Sequence, residues 1–386
     1  MAKPGPILYR DNAKGDGGNA TQQRVQVASS EAILRRYEAD RVTSPLARIF
    51  EFANGWHDHV DAALVVGDAA SLDVCRALLG TLCQPLHNEA TRASRGSKPR
   101  MYFLGDRLDS ELARGMLDRL ACREDVPPAA RENWLLVGLA SDELSPVVIE
   151  NFRWCYRQLP NLGQANRSTW MIAGPRGHEM LDALQLANTS SHPSWVHDSV
   201  DASVDCNVFC TMTLLPAAVA GLDCVQWMEG AAAANRMAGE ADGKNQPAFA
   251  LASLQASSHA RRRRLVAGDA ALIGWGDWLD RRWQVIQAAN GSNHPDGFDS
   301  GHDEELEHHV VARRSRTDSI EFETRNWTQL KLQQSEERFE ASKSPASFIS
   351  LPFIDPFFLG QWLQWIQLAD HLNSVAIGSP GISDIG

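Results

Sequence analysis

"LVVGDAASLDVCRALL", residues 64–79, opens with a strand-length apolar run, passes through a tight turn and continues with apolar residues at helical spacing. A strand that turns directly into a helix is the building unit of parallel sheets, and the helix N-terminus at such a turn is a natural place to hold phosphate. A phosphate loop uses glycines there. This turn carries Asp68, Ala69 and Ala70 instead.

The same alternation continues on both sides of that stretch. "ALVVG" (63–67), "RMYFLG" (100–105), "NWLLVGLA" (133–140) and "STWMIAG" (168–174) are strand-length and bounded by turn formers. Segments 71–83, 108–121 and 144–159 lie between them and place apolar residues at helical spacing, as at Val147, Val148, Phe152, Cys155 and Leu159. Strand–helix–strand repetition predicts an α/β fold with parallel sheets covered by helices, whose ligands sit beyond the carboxyl ends of the strands. The second half is less regular. Residues 207–238 read as a long helical region that Pro216 should kink or divide. "RRLVAG" with 270–289 reads as another strand–helix unit, "SIEFE" (319–323) and "SFISLPF" (347–353) as strands, and 356–373 as a Trp-rich helix. The expected organisation is a loose tail over 1–30 and two α/β lobes over 31–190 and 191–386, with no short-period repeat.

Composition narrows the class. The chain has 386 residues and a formal net charge of −11, which argues against nucleic acid or anionic membrane as a partner. No apolar run approaches the ~20 residues of a spanning helix, and no secretion signal stands at the N-terminus. The seven cysteines are scattered and mostly flanked by apolar residues, as buried thiols in a reducing compartment would be. "RRRR" (261–264), just before an apolar run, reads as a solvated strand end. "GHDEELEHH" (301–309) offers His–Glu spacings that a metal could use, against the commoner reading of an acidic surface segment.

Three segments together, "PLHNEATRASRGSKPRMYFLGD" (85–106), "TLLPAAVAGLD" (213–223) and "SLPFIDPFFLGQWLQWIQLAD" (350–370), resemble the glucose-6-phosphate isomerase family in order and spacing. The closing "SPGISDIG" is similar to that family's terminal region. The resemblance covers most of the chain from about residue 30. It implies two sugar-isomerase (SIS) lobes in a cytoplasmic homodimer that interconverts glucose 6-phosphate and fructose 6-phosphate, in glycolysis and gluconeogenesis, without cofactor or metal.

Such chemistry needs donors for a sugar phosphate, a carboxylate base, a cation for the enediolate and an acid–base group for ring opening. The family's first phosphate loop, "GIGGS", falls on "GDAAS": Gly67 and Ser71 remain, and the central glycines are Ala69 and Ala70. Ser71 there is either a ligand contact or a helix N-cap. The second, "SKSGGT", falls on "ASDELS" (140–145), which keeps Ser141 and Ser145 but replaces the lysine and adds Asp142; a capped turn explains it equally. The family arginine falls on Asp205, after Ser203 and Val204. The base glutamate has no counterpart, because no glutamate occurs between Glu240 and Glu304; Asp280 reads either as a substitute or as part of a helix face among Arg281 and Arg282. Gln329 keeps half of a Gln-His pair whose histidine has become Leu330, and no lysine follows Lys343.

The expectation is therefore a glucose-6-phosphate isomerase-like protein without catalytic residues, inactive or repurposed. Residual substrate contacts would be Gly67, Ser71, Ser141, Ser145 and Gln329. Its partners would be a sugar phosphate and a second copy or an active paralogue. The competing expectations are an active isomerase that uses other groups, and a different enzyme drawing on 141–145, Asp205 and 301–309.

Overall fold

The structure, a computed structural model, describes residues 8–11, 29–105, 110–119, 132–142, 144–158, 170–184, 207–240, 246–258, 260, 262–289, 305–314 and 322–376. In chain order the elements are β1 (Leu8–Asp11), α1 (Ser29–Ala39), α2 (Pro45–His57), β2 (Ala62–Val66), α3 (Ala69–Leu82), β3 (Arg100–Leu104), α4 (Ser110–Arg119), β4 (Trp134–Leu139), α5 (Pro146–Gln158), β5 (Trp170–Ala173), α6 (Gly177–Ala183) and α7 (Thr211–Val219). There follow α8 (Cys224–Glu240), α9 (Pro247–Ser257), β6 (Arg262–Ala267), a 3₁₀ turn (Ala270–Trp275), α10 (Gly276–Ala289), β7 (Glu305–Ala312), α11 (Phe322–Ala341), β8 (Ala346–Leu351) and α12 (Pro356–Ala376). They form two compact units. One comprises Arg35–Leu79 with Cys83–Leu222, and the other Met1–Leu34, Gly80–Leu82 and Asp223–Gly386. They are called the first and second lobe below.

The first lobe holds a parallel sheet in the order β3-β2-β4-β5, with Val66 opposite both Leu104 and Gly138. Every residue of β2, β4 and β5 is buried, the pattern of a sheet covered on both faces. One face packs Leu64, Leu136 and Ile172 against Val148, Phe152 and Cys155 of α5 and Met180 of α6. Gly138 makes room for that layer, since a Cβ there would lie 2.9 Å from the Phe152 ring.

The second lobe has β6, β7 and β8 parallel in that order, with β1 added antiparallel at the edge. β1 falls in the stretch read as a tail. It is fixed by Arg10, whose guanidinium lies 4.7 Å over the Phe348 ring and pairs with Glu336 at 2.8 Å. The helix α12 is buried almost throughout and crosses α8 at two reciprocal glycines. A Cβ on Gly230 would lie 1.9 Å from the Phe357 carbonyl, and one on Gly360 2.0 Å from that of Trp227.

Three readings of the sequence need correction. Pro216 does not divide the 207–238 region, because it sits inside α7; the Met212 carbonyl that it cannot bond is met by the Cys75 thiol at 3.6 Å. The break falls after α7. There Gly221, at φ +79°, closes the helix with bonds from its own N–H to Ala218 and from Leu222 N–H to Ala217, and Asp223 then caps α8. Phe322–Glu323 of "SIEFE" begin α11, where a run of Glu, Gln, Lys and Arg outweighs two alternating apolar residues. Arg263, within the basic run, is fully buried, although Arg262 and Arg264 on either side are exposed. Among the described residues no helix is long and apolar enough to cross a membrane.

Candidate functional site

In a parallel sheet, ligands bind beyond the carboxyl ends of the strands, so the turns after β2, β4 and β5 form the candidate site of the first lobe. At the β2–α3 turn Gly67 continues the strand, its N–H bonding the Leu104 carbonyl. A Cβ at Gly67 would lie 2.9 Å from Leu139 Cβ, so sheet packing requires this glycine whether or not a ligand is present. Asp68 is the N-cap of α3. One of its carboxylate oxygens accepts from the Ser71 backbone N–H at 2.9 Å and the other from the Ser71 hydroxyl at 2.8 Å. An amide at a helix start and an adjacent hydroxyl are the donors that a phosphate would take. Here the protein's own carboxylate takes them, and Ser71 is only 1% exposed.

The neighbouring β4–α5 turn is built from the residues read as the second phosphate loop. Ser145 caps α5, accepting from Val148 N–H at 3.3 Å. Ser141 is buried and its hydroxyl has no hydrogen-bond partner among the described residues. Arg176, after β5, spans the turn with donations to the Asp142 and Leu144 carbonyls at 3.3 and 3.4 Å, while its other nitrogens hold Glu179. Because Val66 pairs with Gly138, the Gly67–Ser71 and Ser141–Ser145 turns leave the sheet side by side. Four of the five expected contact residues thus share one edge and, apart from the Ser141 hydroxyl, their polar groups are engaged locally: Gly67 and Ser145 with backbone groups, and the Ser71 hydroxyl with the Asp68 carboxylate. Gln329, the fifth, is exposed on α11 of the second lobe.

The second lobe repeats the turn. "LVVGDAA" (64–70) and "LVAGDAA" (265–271) agree at six of seven positions, and each ends the first parallel strand of its lobe. The spatial orders β2-β4-β5 and β6-β7-β8 also correspond. The second aspartate makes different bonds. Asp269 accepts from the Ala312 N–H at 2.8 Å and from the Lys331 ammonium, and does not cap the helical turn that follows it. In each lobe the carboxylate therefore occupies one backbone N–H and one side-chain donor at the strand end.

Of the 301–309 segment the structure describes residues 305–309. His302 and Glu304 lie outside the described residues, as does Asp205. His308 and His309, adjacent on β7, point to opposite faces. His308 Nδ1 meets the Ser347 hydroxyl at 2.8 Å; His309 Nε2 meets Glu307 at 3.0 Å and its ring stacks edge-on against Phe339. Among the described residues no group of three or more His, Cys, Asp or Glu has a metal-holding arrangement.

Sequence reasoning missed one titratable pair. His57 Nε2 donates to the Ala218 and Val219 carbonyls at 3.1 and 3.0 Å, which leaves Nδ1 to accept from the Lys98 ammonium at 2.8 Å. Burial, then the neighbouring Lys98 charge, lowers the His57 pKa, and burial lowers that of Lys98. The pair precedes β2 and β3, at the sheet edge opposite the ligand edge, and closes the carbonyl end of α7. Forty-one residues separate the two, so no spacing motif marks them.

No family model matches the chain, and no curated protein does. Solved structures do match. A hypothetical protein from Thermus thermophilus has a TM-score of 0.63 at 13% identity, over 92% of this chain and 91% of that one. A glucose-6-phosphate isomerase from Chlamydia trachomatis has a TM-score of 0.62 at 13% identity, over 92% of this chain and 72% of that one. With its parallel strands and flanking helices, the chain has the fold of glucose-6-phosphate isomerase, made of SIS-type αβα lobes.

Proposed function

We propose that the chain is a repurposed protein on the isomerase fold that does not interconvert glucose 6-phosphate and fructose 6-phosphate. The supporting observation is Asp68, whose carboxylate holds the Ser71 amide and hydroxyl that a phosphate would need. A phosphate charge about 5 Å from that carboxylate would be repelled by roughly 3 kcal/mol at an effective dielectric of about 20, a penalty of about a hundredfold in binding. The sequence adds further losses, with no glutamate between Glu240 and Glu304 and Leu330 in the place of a ring-opening histidine. The same acid recurs at Asp269, so the altered turn belongs to both lobes and is not one isolated lesion.

On this reading the protein acts as a binding or regulatory partner, as a homodimer or paired with an active paralogue. Its buried thiols at Cys75, Cys155, Cys210 and Cys224 suit a reducing cytoplasm. A coupled assay for fructose 6-phosphate conversion at high protein concentration tests it. No turnover above background is expected, and a rate on the order of 10 s⁻¹, ordinary for an enzyme, would refute the proposal.

A further inference from the structure

The loop ahead of β3 brings a lysine to a histidine along a constrained path. Gly96 and Ser97 lie in the left-handed region, at φ +61° and +63°, and Ser97 is the one residue other than glycine to do so among the described residues. Such a conformation costs a non-glycine residue about 1–3 kcal/mol and persists where its surroundings enforce it. Here Ser97 N–H bonds the Arg92 carbonyl and Lys98 N–H the Arg95 carbonyl, while Arg95 Nε donates back to the Lys98 carbonyl at 3.0 Å. Arg92 donates to the His57 carbonyl at 2.6 Å, which ties the loop carrying Lys98 to the helix end carrying His57. The Lys98 side chain then runs over Gly221, where a Cβ would lie 2.5 Å from its Cε.

At the end of this path the Lys98 ammonium meets a nitrogen lone pair. The Ala218 and Val219 carbonyls can only accept, so they fix the His57 proton on Nε2 and leave Nδ1 as a base 2.8 Å from Lys98 Nζ. Among the described residues no carboxylate lies within ion-pair distance of this ammonium, whereas that of Lys331 is neutralised by Asp269. Burial lowers the Lys98 pKa against the longer-range pull of exposed Asp58, which enlarges the share of neutral amine. A desolvated amine with a base on its proton is the arrangement of an activated nitrogen nucleophile. Lys98 is only half-buried, which leaves the side chain open to small solutes.

We propose that Lys98 is an acylation site, its Nζ taking the acyl group of a small donor of the acyl phosphate class while His57 Nδ1 takes the proton. The Nζ lone pair forms the C–N bond, the acyl C–O bond breaks, and phosphate leaves with that electron pair. The proton passes from Nζ to Nδ1 and on to solvent. The amide product has one N–H left for Nδ1, so the contact with His57 is kept while the charge is lost. The site is separate from the strand-end turns and does not depend on the reading of them. Incubation of the full chain with acetyl phosphate at neutral pH, followed by peptide mass spectrometry over time, tests it. Lys98 should be acetylated at least about tenfold faster than exposed Lys343, a modest share of the ~100-fold that a positioned base supplies. His57→Gln keeps a donor for the α7 carbonyls, removes the base, and should abolish that advantage without changing the rate at Lys343. Should this variant not fold, the ratio of the two rates in the natural protein decides alone. Acetylation of Lys98 no faster than that of Lys343, or an advantage that survives in His57→Gln, would overturn the proposal.

Discussion

Asp68 and Cys75 both satisfy backbone groups that helices leave open, and removing either has a defined cost. Asp68→Ala strips the N-cap from α3 and should destabilise the protein by about 1 kcal/mol, read from the urea midpoint. Cys75→Ala leaves the Met212 carbonyl buried without its thiol donor, at an expected cost of about 1–3 kcal/mol by the same measurement. Burial drives the Cys75 pKa far upward, so the thiol keeps its proton and remains a donor at any physiological pH. Neither bond can be read from the sequence, because Met212 lies far along the chain from Cys75 and a capping Asp looks the same as a ligand-repelling one. The need for Gly67 is legible, though its reason is not. It reads as a surviving phosphate glycine, whereas the Leu139 side chain explains it without any ligand.

The α8–α12 crossing depends on two glycines whose partners are backbone carbonyls, which cannot rotate away as side chains can. Gly230→Ala should therefore cost more than about 3 kcal/mol, seen as loss of the cooperative unfolding transition or of folded protein. Gly239→Ala on the same helix is the control, since a Cβ there meets nothing within 4 Å, and a small gain in stability is expected. The strands β2, β4 and β5 are legible because each apolar run is short, buried on both faces and bounded by turn formers. Elements without those marks escape a reading by pattern. The α7–α8 break is set by one left-handed glycine and not by the proline, and α11 by charged residues that carry no apolar period.

Across the whole molecule, buried histidines set the response to acid. Burial holds His308 down to about 3, and burial also lowers His309 and His57 from their ordinary value of 6.5. A depressed histidine means that the unfolded chain binds more protons below pH 6.5, so stability falls as the pH falls. For His308 the slope is about 1.4 kcal/mol per pH unit once the pH is well inside that window. Asp370, held below its usual 3.8 by Arg263 and Arg282 against the cost of burial, keeps its contribution until the pH drops below that value. Unfolding midpoints should therefore decline steadily between pH 6.5 and 4, and His308→Gln should make the decline shallower. Long-range placement of this kind is invisible in "GHDEELEHH", where two adjacent histidines look like a pair and in fact face opposite sides of a sheet. The turn after β2 is where sequence and structure meet most closely, because its acid is visible in one and its bonds in the other. Calorimetric titration of glucose 6-phosphate into the natural protein and into Asp68→Gly tests the account most directly. The prediction is no saturable heat for the natural protein and measurable binding once the carboxylate is gone; saturable binding by the natural protein, unchanged or weakened in Asp68→Gly, would contradict it.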